Sequence, residues 1–411
     1  MITIKKPYVE ESGDTTFFKA SIVDSVQHID DVLWYQVPRE YGGYFVADVA
    51  DPFLVSVLLP AIRYCEDIVV EAYVSEQLYY NICNYIIPCL TAMWGGYVPN
   101  ISVEGVVATN YMPTASATGC SMGVDSLSAI FHHTSKECLE GYKLTHLTYF
   151  NVGAHGTTNI EATEESFFND LQLINEFATE INLPVVWVNT NMHLLYYEFS
   201  FDQTHTLRNI SVVLSLQKLF RRYYYASSFT IDKIRLSKEY MSYFEELLLA
   251  RLSTESTSLM LEDAAWGRSD KTNYIALNPL SYKYLYVCLK EQIANDGGDE
   301  DIARIKDEKL NCSRCKKCLR TMLTLDVIGK LPEFSDVFDI EYFNRIKKYY
   351  IGKIIYLKKD DAISLDIYKL MIKEGYRIPV FSKFFAFFYQ FYVIICPDKF
   401  HKWVLKKFRN K

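Results

Sequence analysis

The period of the apolar residues changes several times along the chain, and each change marks an element. Val32-Leu33-Trp34-Tyr35-Gln36-Val37 suggests a strand within an otherwise irregular stretch from Met1 to about Val49. Asp51-Pro52 then supplies an N-cap and an N1 proline for a helix through about Tyr64. Residues 67–74 predict a strand, 75–94 a helix that Pro88 should kink or end, and 101–108 another strand. Together these make an N-terminal α/β module over residues 1–110. It holds no chemistry motif, and Cys65, Cys83 and Cys89 sit among apolar neighbours as core cysteines do.

From Thr114 the pattern reads as strand, polar turn and helix. The small residues T-A-S-A-T-G-C give way to Ser121-Met122-Gly123-Val124-Asp125-Ser126, after which Val124, Leu127, Ile130 and Phe131 recur at helical spacing. Residues 144–152 predict a second strand ending in Gly153-Ala154-His155-Gly156, 164–181 an amphipathic helix, and 185–189 a third strand. A helix from Thr204 through about Arg221 comes next, and then a fourth strand over 223–228. Strands alternating with helices through short loops imply an α/β fold, a parallel sheet with helices on both faces. In such sheets ligands sit beyond the carboxyl ends of the strands, where both the Ser121 loop and the loop from Asn151 to Gly156 fall.

The Ser121 turn carries the first chemistry. A loop at a helix N-terminus has N–H groups to offer and the positive end of the helix dipole behind them, so it is a ready anion site. Gly123 removes a Cβ where backbone must approach a ligand, and Ser121 and Ser126 add hydroxyl donors. Asp125 would repel an anion unless a divalent cation lies between them, and a carboxylate with phosphate oxygens is how Mg²⁺ is usually held. The Gly-Lys-Ser/Thr end of a Walker loop is missing. Ser121, Gly123, Asp125 and Ser126, with Val124 in the free position, resemble the S-G-G-x-D-S loop of the ATP pyrophosphatase (PP-loop) superfamily. Met122 stands where that family has its first glycine. Should the position demand a positive φ, methionine there costs on the order of 1–2 kcal/mol. The plain alternative is a strand-to-helix turn capped by Asp and Ser. Cys120 adjoins the loop and reads as a small core residue rather than a nucleophile, since no partnering base is identifiable.

Further polar positions fit around such a loop. His205 and Arg208 are expected near the phosphates, against a reading as a helix cap with a solvated arginine. Residues 253–256 and 266–272 are polar clusters between apolar segments, and Arg268 and Lys271 in the second can neutralise phosphate charge.

Asn311-Cys312-Ser313-Arg314-Cys315-Lys316-Lys317-Cys318 is the second informative stretch. Three thiols at C-x2-C-x2-C spacing converge on one metal from a tight turn, and a closed tetrahedral zinc site needs a fourth ligand, for which Cys288 is the candidate. The Gly- and acid-rich residues 295–307 would be a loop between them. Arg314, Lys316 and Lys317 offset thiolate charge. An iron–sulfur cluster competes, but the ferredoxin run continues to a fourth Cys and Pro where Leu319-Arg320-Thr321-Met322 stands here. Unmetallated thiols are the third reading.

Composition narrows the classes. Half of the 411 residues are apolar and 23% charged, as in a globular chain, and the net charge of -7 argues against a general nucleic-acid binder. Met1 to Gly13 is polar and charged rather than apolar, so a cytoplasmic protein is expected, and the ten cysteines are read as reduced thiols or ligands. The apolar run from Phe384 to Cys396 is short for a span of about 20 residues. It suits peripheral membrane contact, and the basic tail from Lys399 to Lys411 slightly favours an anionic partner.

The loop, the D-K-T segment at Lys271, Cys288, the C-x2-C-x2-C run and Arg320 come in the order found in the 7-cyano-7-deazaguanine synthase (QueC-like) branch of the PP-loop enzymes. This resemblance covers residues 116–324, roughly half the chain. It implies an adenine nucleotide alpha hydrolase-like fold, ATP phosphates at Ser121, Gly123, Asp125 and Ser126, and a site lysine at Lys271. With it the residues read above complete the expected site: Val124, Asn151, His205 and Arg208 about the nucleotide, and Asp125 and Lys271 as catalytic groups. The resemblance also implies a zinc tetrathiolate at Cys288, Cys312, Cys315 and Cys318. The domains expected are an accessory module (1–110), the ATP-binding region with its cysteine cluster (111–330) and a helical C-terminal region (331–411). The activity expected is adenylation of a carboxylate or amide oxygen, then attack of a nitrogen nucleophile. The resemblance does not carry the substrate over, and the N-terminal module has no counterpart in the compact synthases; a small-molecule or modified-base-type substrate is expected, with a protein partner able to dock on that module. The rivals are a retired PP-loop serving as a binding or assembly module, with Met122 as its trace, and a sulfur transferase acting on tRNA.

Overall fold

The computed structural model describes residues 1–156, 159–290 and 309–395, with 390–395 described by backbone alone. Two compact units divide it. Met1–Ser121 and Ala129–Ala265 belong to the first, and Met122–Ser128 with the described residues of 266–395 belong to the second.

The first unit is built on one eleven-stranded sheet flanked by helices. Its strands are β1 (Ile2–Ile4), β2 (Tyr8–Ser12), β3 (Thr15–Asp24), β4 (Ile29–Pro38), β5 (Ile68–Ser75), β6 (Ile101–Val107), β7 (Ala115–Gly119), β8 (His146–Asn151), β9 (Val185–Thr190), β10 (Phe220–Ala226) and β11 (Ser258–Glu262). Helices α1 (Asp51–Tyr64), α2 (Glu76–Asn81), α3 (Ile87–Trp94), α4 (Val124–Thr134), α5 (Ile160–Glu180), α6 (Phe201–Ser215) and α7 (Glu245–Leu252) connect them, the first turns of α4 belonging to the second unit. Strands β11-β10-β7-β8-β9 run parallel to one another. Counted from β7 and read from β9, this is the order 3-2-1-4-5, which puts a topological switch between β7 and β10.

The sheet does not stop there. β9 pairs antiparallel with β4 through Tyr35↔Thr190 and Gln36↔Asn189, and the ten-residue strands β3 and β4 continue it to β1, β5 and β6. The sheet is therefore mixed rather than wholly parallel, and the boundary expected at residue 110 separates no compact units. Joining strands edge to edge satisfies backbone groups that two separate sheets would leave open. Phe18, Ala20 and Ile22 of β3 point inward at every second position. Its outward face is itself partly apolar, with Phe17 edge-on to Trp34 at 5.5 Å, and this blurs the alternation in the sequence.

Local chemistry explains the helix ends. Ala50, not Asp51, is the N-cap of α1. Asp51 is buried inside the first turn, where its carboxylate accepts the Ser75 N–H at 2.8 Å, the Ser75 hydroxyl and the Gln217 amide at 2.7 Å. Pro60 within α1 has no N–H for the Ser56 carbonyl, which accepts the Tyr196 hydroxyl instead. Pro88 does not end its helix. A π turn over Ile82–Ile86 precedes it and α3 carries on. The helix expected to reach Arg221 stops at Ser215. Of the cysteines read as core, Cys65 is exposed at the left-handed C-cap of α1, while Cys83 and Cys89 are half-buried.

The second unit is helical: α8 (Arg268–Ile275), α9 (Leu280–Tyr284), α10 (Lys316–Val327), α11 (Ile340–Leu357), α12 (Ala362–Lys373) and α13 (Val380–Ile395). Asp339 and Asp361 cap α11 and α12 by accepting the N–H groups of Tyr342 and Ser364. Gly352 admits α13 against α11, since a Cβ there would lie 2.7 Å from the Phe385 ring and 2.9 Å from the Ser382 carbonyl. The loop expected over 295–307 and the basic tail from Lys399 lie outside the described residues.

Candidate functional site

β7 ends at Gly119 and α4 begins at Val124, so the turn between them is four residues long. Met122 has φ +57, the conformation a glycine takes without cost, and its side chain is buried. Burying a methionine side chain contributes about 1.5–3 kcal/mol, which offsets the strain. The Met122 carbonyl accepts the Tyr286 N–H at 2.9 Å, and the first helical bond runs from Leu127 to the Gly123 carbonyl. The N–H groups of the first turn of α4 have no acceptor inside the helix itself.

Two cations from α8 meet that turn. Arg268 Nη1 donates to Asp125 Oδ2 at 2.6 Å, and Lys271 Nζ lies 3.8 Å from Asp125 Oδ1. Arg268 and Lys271 are three residues apart and share a helical face. Lys271 is 1% exposed, Asp125 and Arg268 about one-fifth. The start of α8 is held by Asp270, which accepts the Gly267 N–H, and by Asp366 of α12, which accepts the Ser269 N–H at 2.9 Å. Two positive groups against one carboxylate, at the positive end of a helix, favour a further anion.

The four cysteines form the best-built site. The sulfurs of Cys288, Cys312, Cys315 and Cys318 all lie within 4.8 Å of one another. Cys312 and Cys318 are 3.8 Å apart and Cys315 and Cys318 3.4 Å. A metal bound to four sulfurs at about 2.3 Å in a tetrahedron gives sulfur–sulfur edges of about 3.8 Å, so the set could hold a single ion. Backbone N–H groups point at the sulfurs: those of Lys290 and Cys312 at Cys288, and those of Arg314 and Cys315 at Cys312. Such bonds stabilise thiolates. Hydrogen bonds from the other cysteines, led by Cys288, hold the Cys315 thiol well below its ordinary pKa and push Cys318 up. All four ionise together only around a cation. Buried Asn311 ties the turn in place, accepting the Val287 N–H and donating to the carbonyls of Leu285 and Val337. Ser313, at φ +59, turns the chain between the ligands.

The remaining expected site residues lie in the first unit. Asn151 donates to Asn189 Oδ1 at 2.9 Å across β8 and β9, and Asn189 in turn donates to Glu164. No motif in the sequence marks this polar row beyond two strand ends, although an Asn stands at or next to the end of each strand. Arg208 is not solvated. It is fully buried over the Tyr196 ring and donates to Thr204 and to the Val152 carbonyl at 3.0 Å, while its Nη2 donates to no acceptor among the described residues. Burial lowers its pKa to about 10. His205 lies between the Tyr225 hydroxyl at 2.9 Å and the Ser242 hydroxyl at 3.1 Å, and burial, helped by the Arg208 charge, lowers its pKa to about 4. Burial likewise lowers His155 to about 4.

These shifts fix a pH dependence. Both histidines bind protons in the unfolded chain from about pH 6.5 downward but resist them when folded, so stability falls between pH 6.5 and 4, by about 3 kcal/mol per residue. Asp51, raised by burial to about 6, acts the opposite way in the same window, so about one histidine's worth of loss remains. Urea unfolding at the two pH values should show this loss, and His205→Gln should shrink it.

A smaller group, His132 with Glu262 and Asp263, also brings three ligand atoms within 4.8 Å. Comparison of the chain with protein-family models, with curated proteins and with solved structures finds no match.

Proposed function

We propose that the protein is an ATP-dependent, AMP-forming enzyme of the PP-loop kind. The observation that carries this reading is the convergence of Arg268 and Lys271 on Asp125 in the first turn of α4. The 3-2-1-4-5 order, with its switch beside β7, supports an adenine nucleotide alpha hydrolase-like fold. In this reading a carboxylate or amide oxygen of the substrate attacks the α-phosphorus of ATP, pyrophosphate leaves, and a nitrogen nucleophile displaces AMP. Arg268, Lys271 and the N–H groups of α4 stabilise the charge on the departing pyrophosphate. Asp125, released from Arg268, would hold Mg²⁺, which supplies further charge neutralisation. The four-cysteine site takes zinc in a structural role, because a closed tetrathiolate leaves no position for substrate. Reduced thiols of this kind suit the cytoplasm.

Met122 favours a second reading. Its buried side chain occupies the turn where a glycine would leave room, as expected of a retired loop closed to nucleotide and kept for assembly. Calorimetric titration with ATP and Mg²⁺ decides between them. Saturable binding by the natural protein supports the enzyme reading. No binding, with binding gained in Met122→Gly, makes the retired module the better account, and no binding by either protein removes both.

A further inference from the structure

The last helix of the second unit has two unlike faces. Ser382, Phe385, Ala386 and Tyr389 turn toward α11, with Phe385 edge-on to Tyr349 at 5.4 Å and Tyr389 edge-on to Tyr356 at 4.8 Å. The opposite face carries Val380, Phe384, Phe387 and Phe388, exposed by 68%, 60%, 57% and 62%, while Phe381 lies at its edge against Tyr349 at 4.9 Å. Their spacing places these four on one stripe. Three largely exposed phenylalanines side by side are rare on a surface that meets only water. The described part of α13 is 16 residues, about 24 Å long. Among the described residues no helix is long and apolar enough to cross a membrane.

The sequence C-terminal to α13 selects the partner. Residues 397–411 contain six Lys or Arg against the single acid Asp398, interleaved with Phe400, Trp403 and Phe408, in a chain whose net charge is -7. Lys373, Arg377 and Lys383 are exposed beside or within α13, Lys383 on the flank of the phenylalanine stripe. An apolar stripe joined to a basic, aromatic stretch supplies the two signals that hold a peripheral protein on a bilayer. We propose that α13 lies in the plane of an anionic lipid surface, its phenylalanines inserted among the acyl chains and Lys383 beside the headgroups. This surface is independent of the nucleotide reading.

The test is co-sedimentation of the full chain with vesicles of phosphatidylcholine, with and without about a third of phosphatidylglycerol. Binding is expected to need the anionic lipid and to weaken steeply at high salt, since each basic residue near the surface contributes about fivefold. Phe384→Glu with Phe388→Glu changes only exposed positions, so the melting temperature should hold while partitioning falls at least about tenfold. A natural protein that ignores vesicles at millimolar lipid overturns the proposal, as does a double variant that binds unchanged. Self-association that requires Phe384 and Phe388, without lipid binding, also overturns it and assigns the face to a second copy.

Discussion

Serine at both Cys315 and Cys318 is expected to strip the chain of its metal and to melt the second unit. Elemental analysis of the natural protein should find about one equivalent per chain after dialysis, and the double variant almost none. The effect is large because binding energy at a structural site is folding energy, on the order of 10 kcal/mol for zinc peptides near neutral pH. Here Cys288 stands 24 residues before Cys312 and Cys318 lies in the first turn of α10, so the ion ties distant positions of the chain together as well as neutralising thiolates. The melting temperature should fall by more than about 10 °C. Cys89→Ser, at a half-buried position away from the cluster, should change it by a few degrees at most. Full metal retention in the double variant would sink the four-thiolate site.

That site was the most legible part of the sequence because its information is local. C-x2-C-x2-C spacing brings three sulfurs together through one turn and the start of a helix, whatever the rest of the chain does. Met122 was legible for the same reason, since φ +57 is a demand of the turn itself. What escaped depends on distant partners. Nothing in β4 announces that it will pair with β9 about 150 residues later, and on that pairing rests the union of the N-terminal strands with the parallel core. Arg208 offers the same lesson. A charged residue in a Thr-His-Thr-Leu-Arg run reads as exposed, and only Tyr196 and the Val152 carbonyl, brought in from elsewhere, make its burial tolerable. Asp366 capping α8 joins two helices that no sequence period links.

Asp125→Asn should split the two kinds of anion binding at the loop. The carboxylate now cancels part of the charge of Arg268 and Lys271, which lie 2.6 and 3.8 Å from it. For partly exposed groups this close the interaction is worth about 1–2 kcal/mol after solvent screening, so freeing both cations should tighten metal-free pyrophosphate by about tenfold. Mg²⁺–ATP should move the other way if the carboxylate carries the cation, weakening by about ten- to a hundredfold. Calorimetric titration with each ligand, at two salt concentrations, reads both changes. Equal weakening of the two ligands would mean that Asp125 merely orients Arg268 and Lys271, because loss of their anchor then costs affinity for any phosphate. Tightening of both would make it a simple counter-ion and leave the loop without a metal ligand. Only opposite shifts fit a carboxylate that exchanges its arginine for a cation when nucleotide arrives, which is the step that the adenylation chemistry requires of this residue.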